Sequence, residues 1–177
     1  MSAKQDNSGN KIDIKRITLY ALLVAFCLIV GYLENFLSIV LTSVAPGIKI
    51  GLSNAIVLTL VCRGDIRGAW AVNVTRIALS ALLFGSPISF LFSLSGGVAS
   101  MLTACALSRN KHISEIGISV AGGAVHNIFQ CVAATLFIGV GVIYYLPALL
   151  ICGALCGGFC GVLVMLVLKK VKTSGIF

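Results

Sequence analysis

Long apolar runs broken by short polar clusters fill most of the chain. Six runs can be read, over residues 17–33, 48–62, 69–84, 87–107, 116–138 and 147–168, and the first can continue past Glu34 and Asn35 to Leu41. A hydrocarbon core about 30 Å thick asks for about 20 helical residues. The second and third runs fall short of that, so they are expected to be tilted, irregular or shielded by their neighbours. Pro87 and Pro147 open the fourth and sixth runs. A missing N–H costs nothing in the first turn of a helix.

Composition agrees with this pattern. The 177 residues are 59% hydrophobic and 10% charged, with mean hydropathy +1.09. Soluble domains average about 45–50% apolar and about 25% charged residues. The expectation is an all-α integral membrane protein of six transmembrane helices spanning residues 15–170. A polar, disordered tail over 1–14 precedes it and a basic cytoplasmic tail over 171–177 follows it. No internal repeat or domain boundary appears. "RGD" at 63–65 falls in a turn between the second and third runs.

The net charge of +8 is scattered between apolar runs rather than gathered into a patch, which excludes nucleic acid as a partner. Its distribution orients the bundle by the positive-inside rule. With the N-terminus inside, Lys4, Lys11, Lys15, Arg16, Arg63, Arg67, Arg109, Lys111, Lys169, Lys170 and Lys172 all face the cytoplasm, 11 of the 13 basic residues. Both termini are therefore expected to be cytoplasmic, in the cell membrane. Tyr32, Tyr144 and Tyr145 fall near the outer interface and Trp70 near the inner one. The seven cysteines are odd in number and contain no C-x-x-C. Neither a disulfide framework nor a zinc site follows from that spacing. Cys152, Cys156 and Cys160 interleave with Gly153, Gly157 and Gly161 and read as small packing residues. No metal or other cofactor is expected.

Arg76 lies about half-way along the third run. A charge at the centre of a span costs at least about 2.5–3.5 kcal/mol, and such residues usually face a cavity or a partner. Asn73 and Ser80 share its helical face. A second polar stripe lies on the fifth run, where "VHNIFQ" sets His126 and Gln130 four apart and Asn127 and Gln130 three apart. Lys49, Ser53 and Asn54 open the second run from the outside, while Phe90 and Ser93 begin the fourth at a similar depth. With the second run directed inward and the third and fifth outward, these groups converge on a basic, amide-lined pocket in the outer half. No acidic residue is placed inside a span, and Glu34 is put near the outer edge. A lone buried cation is destabilising without an anionic or carbonyl-rich companion, so a small anionic or carbonyl-rich ligand is expected there. The candidate ligand-binding residues are Lys49, Asn54, Asn73, Arg76, Phe90, His126, Asn127, Gln130 and Tyr144, the last with Phe90 as a wall or lid.

Small residues make a third pattern. Ala21 and Ala25 form A-x-x-x-A on the first run, Gly153, Gly157 and Gly161 a double G-x-x-x-G on the sixth, and "SVAGGAV" opens the fifth. Such faces let helices approach closely.

Taken together, "PGIKIGLSNAIVL" (46–58), "RIALSALLFG" (76–85), "FSLSGGVASML" (92–102), "GISVAGGAVHNIFQ" (117–130) and "YYLPALLICG" (144–153) resemble the Gx transporter family. Its members are often labelled heptaprenyl diphosphate synthase component I. The family in turn resembles the substrate-binding S components of energy-coupling factor (ECF) transporters. The resemblance implies a six-helix subunit that captures a small micronutrient from outside and docks on a transmembrane coupling subunit driven by two ATPases. It also implies that the Ala21–Ala25 face serves that docking. The chain has no G-x-x-x-x-G-K-[ST] phosphate loop, so ATP hydrolysis falls to a partner and no catalytic residue is expected. The alternative is an accessory membrane subunit of isoprenoid or quinone synthesis. It would lack catalytic groups of its own, because Asp6, Asp13 and Asp65 are dispersed and offer no carboxylate pair for Mg²⁺.

Overall fold

A computed structural model describes residues 14–41, 51–84 and 87–174, and these are all-helical apart from short turns. The helices are α1 (Ile14–Leu41), α2 (Leu52–Cys62), α3 (Ile66–Phe84), α4 (Pro87–Leu107), α5 (Glu115–Ile138) and α6 (Leu146–Ser174), with a 3₁₀ segment (Val140–Tyr145) leading into α6. Lys49 and most of the N-terminal tail lie outside the described residues. Helix α6 runs on to Ser174, through the first part of the segment expected as a basic tail. Lys172 in its last turn suits the negative end of the helix dipole.

Each apolar run forms one helix, and local chemistry sets the ends. Arg63, Gly64 and Asp65 make the turn between α2 and α3. Gly64 is left-handed at φ +82°, a conformation that glycine adopts without steric cost. Its N–H donates to the Val61 carbonyl at 2.9 Å and that of Asp65 to Leu60 at 3.0 Å, the paired bonds that close a helix C-terminus. Asp65 then caps α3, its Oδ1 accepting the Gly68 N–H at 3.0 Å while its Oδ2 accepts the Tyr20 hydroxyl at 2.6 Å. This cap starts α3 three residues before the apolar run. Ser114 caps α5 in the same way by accepting the Gly117 N–H at 3.2 Å.

Helix α2 is the hub of the packing, touching α1, α3, α4, α5 and α6. Ser53, Ala55, Val57, Leu58, Leu60 and Val61 are buried along its 11 residues. Shielding by neighbours thus accounts for its shortness. Four segments are long and apolar enough to cross a membrane: Ile14–Glu34, Phe90–Leu107, Glu115–Ile138 and Val140–Lys172. Large apolar side chains cover the outside, with Leu82 83% and Leu136 80% exposed. A water-soluble monomer rarely presents so continuous an apolar surface. The protein is a membrane protein.

The closest helix seam joins α5 to α6. A Cβ added at Gly157 would meet the Ser119 carbonyl oxygen at 2.7 Å, and one at Gly161 would meet the Ile116 Cα at 2.6 Å. At Gly123 it would meet the Gly153 carbonyl oxygen at 2.6 Å. Gly123 of "SVAGGAV" therefore faces Gly153 and Gly157 of the double G-x-x-x-G within the chain.

Candidate functional site

Arg76 projects from α3 into the centre of the bundle, where its donors are met by neutral oxygens. Nε donates to Asn73 Oδ1 at 3.2 Å and Nη2 to the same oxygen at 2.9 Å. Nη2 also donates to Asn54 Oδ1, and Nη1 donates to Ser53 Oγ at 3.2 Å. Asn73 sits one turn before Arg76 on the same face, and it is itself tied down by donating to the Gly97 carbonyl on α4 at 3.3 Å. Asn54 and Ser53 come from the first turn of α2. That turn is fixed by a residue of α1.

The residue is Glu34. It is only 8% exposed, at the end of the apolar span Ile14–Glu34, and is packed against the first turn of α2. Its Oε1 accepts the Leu52 N–H at 2.5 Å and its Oε2 accepts the Ser53 hydroxyl at 3.3 Å. Gly51, at the N-cap of α2, has no side chain to offer. Glu34 supplies the cap from another helix, and a carboxylate there suits the positive end of the helix dipole. The guanidinium can only donate, so the single Ser53 proton goes to Glu34, and both carboxylate oxygens act as acceptors, the pattern of an ionised group. Arg76 and Glu34 are thus linked through one serine. The expectation of a cation with no carboxylate companion is corrected on this point. Apolar residues resuming after Asn35 carried the signal, because a helix that continues to Leu41 carries Glu34 inside it.

A cavity of about 210 Å³ opens beside this network. A single water needs about 10–15 Å³ on this measure, and drug-sized ligands occupy about 300–1,000 Å³. The space suits a small molecule. Of the residues singled out from sequence, Asn54, Asn73, Arg76, Phe90, His126, Asn127 and Gln130 line it together, as do Ser80 and Ser93. Tyr144 does not. It is 89% exposed in the 3₁₀ segment, which carries it away from the cavity.

The lining residues differ in what they have left to offer. Asn127 donates to the Leu149 carbonyl on α6 at 2.5 Å, so its NH₂ holds two helices together and its Oδ1 remains an acceptor. The side chains of Gln130, Ser80 and Ser93 make no hydrogen bond to another described residue. The His126 ring lies against Gly96 on α4, where an added Cβ would come within 2.9 Å of Cε1 and Nε2. Gly96→Val should therefore push the imidazole out of its seat. Carbethoxylation of His126, read by peptide mass spectrometry against exposed His112 as internal standard, is expected to rise several-fold. An unchanged ratio would show that the ring has another place to rest.

A second, mostly apolar groove of about 430 Å³ lies between α1 and α3 on the outside of the bundle. Ala21 and Ala25 form its floor with Val24 and Leu28 of α1, beside Ala71, Val72 and Thr75 of α3. Leu28 borders both spaces.

Residues 23–167, more than half of the chain, match the family described as heptaprenyl diphosphate synthase component I. That range takes in α2 to α5 entirely and every described lining residue named above. No curated protein and no solved structure matches the chain.

Proposed function

The chain belongs to the heptaprenyl diphosphate synthase component I family, and on that premise we propose that it is a substrate-binding subunit of an ECF-type importer. In this reading six helices cross the cell membrane with both termini in the cytoplasm. The cavity beside Arg76 takes a small organic molecule from outside. The chain is not an enzyme, and ATP hydrolysis belongs to two partner ATPases acting through a transmembrane coupling subunit. The observation that carries the reading is the cavity itself. A membrane protein that could have filled its centre with leucine instead keeps a polar void there, lined by Gln130, Asn127 and Arg76. Buried polar groups in a bilayer mark substrate pathways more often than packing needs.

The α1–α3 groove supports the partner half of the reading, since small residues on an exposed helix face allow a second helix to approach closely. Ala21→Leu combined with Ala25→Leu is expected to abolish uptake in cells while leaving ligand binding by the purified protein within about twofold. Unchanged uptake would make that face ordinary lipid-facing surface.

A second reading follows from the family's description, as an accessory membrane component of prenyl diphosphate synthesis. A heptaprenyl tail is longer than a drug-sized ligand, and the cavity of about 210 Å³ lies below even the range for those. The first reading is therefore preferred. Synthase activity lost on deletion of this chain and restored by adding it back would reverse that preference.

A further inference from the structure

We infer that the cavity selects ligands of zero net charge, because the protein balances its own charges around it and most of the groups left to bind are neutral. The inference rests on the reading of the cavity as a ligand site.

Among the described residues, the fixed charges on the lining are Arg76 and Glu34, one of each sign. They are not in direct contact. Ser53 stands between them, accepting from Arg76 at 3.2 Å and donating to Glu34 at 3.3 Å. Around Arg76 two asparagine oxygens join the serine, and four of the five guanidinium N–H groups are met without any ligand. The remaining titratable groups on the lining are His126 and the thiols of Cys27, Cys156 and Cys160. A ligand with net charge would be stripped of water in this space without meeting an unbalanced opposite charge, which is strongly unfavourable.

Apart from the second Nη1–H of Arg76, the groups still open to a ligand are uncharged: the Gln130 amide, the hydroxyls of Ser80 and Ser93, and Asn127 Oδ1. An amide is the natural partner of an amide, because each offers a donor and an acceptor in one plane. Phe90 adds an aromatic wall.

Benzamide, benzoate and benzamidinium share one planar shape and carry charges of zero, minus one and plus one, so they isolate the variable. The full chain, purified in detergent at pH 8, would be melted with each compound at millimolar concentration. Benzamide is expected to raise the melting temperature by about 2 °C or more, with no rise from the two ions. Glu34→Gln should then raise the ratio of benzoate to benzamide affinity at least about tenfold, because Arg76 loses its counter-charge. A merely structural role for Glu34 would weaken all three compounds alike.

Stabilisation by benzoate or benzamidinium equal to that by benzamide in the unaltered protein would overturn the inference and leave a ligand site in place. The same holds if native mass spectrometry finds a net-charged small molecule carried through purification. No shift with any of the three overturns it as well. If in addition no bound molecule is found by native mass spectrometry, the ligand site itself falls.

Discussion

Gly157→Val is expected to cost the folded bundle at least about 3 kcal/mol, the upper part of the range for forcing atoms into a filled core. The reason is what stands opposite. At Gly157 the new carbon would meet the Ser119 carbonyl oxygen at 2.7 Å and the Val120 Cα at 3.0 Å, both backbone atoms of α5. A side chain can swing to another rotamer, whereas a helix backbone can move only by pulling the whole seam apart. For a protein of this size about 1 kcal/mol corresponds to about 2–4 °C. The melting temperature in detergent should therefore drop by roughly 6–12 °C, with loss of monodispersity on gel filtration. Gly158→Val is the matched control. Its nearest contact would be the Val120 Cγ2 methyl at 3.8 Å, an ordinary van der Waals distance, and its melting temperature should stay within about 2 °C of the parent. Equal losses from both would mean that residue 157 suffers from valine's poorer helix propensity rather than from the seam.

The Arg76 network gives the second large effect. Arg76→Met removes a positive charge and leaves Glu34 buried with none to balance it. Glu34→Gln does the reverse. Taking away one member of a buried pair costs about 3–5 kcal/mol, and the intervening serine places these variants near the lower figure. The double variant carries no uncompensated charge, so its loss should be smaller than the sum of the two by at least about 1 kcal/mol. Thermal melts of the parent, both single variants and the double complete the cycle. Strict additivity would mean that Ser53 insulates the two charges rather than joining them. Ser53→Ala supplies the internal check, since it removes the hydrogen-bonded link and keeps both ends.

Much of this architecture was legible before any coordinates. Apolar runs carry the membrane signal residue by residue, and all six became helices with ends displaced by only a few positions. A cap explains one of the displacements. Asp65 pulled the start of α3 back to Ile66, because its carboxylate could satisfy the Gly68 N–H. The convergence of Asn54, Asn73, Arg76, His126, Asn127 and Gln130 was also readable, since helix direction and span depth together fix which polar residues meet.

What escaped was the partner of Arg76. Charge counting places Glu34 near the outer end of the first run and says nothing of which neighbour its side chain meets. Its role depends on α2 packing beside α1 and lacking a side-chain cap of its own at Gly51. The pairing of the two helices lies outside any local pattern. Tyr144 misled for the opposite reason. Proximity to the expected outer interface said nothing of which way a short 3₁₀ segment would turn.

One consequence concerns α1. It carries the groove at Ala21 and Ala25 and the carboxylate at Glu34 on a single continuous rod. From Ala21 to Glu34 is a rise of roughly 20 Å at 1.5 Å per residue. Groove and carboxylate therefore share one rigid element, and the position of α1 sets the geometry of both at once.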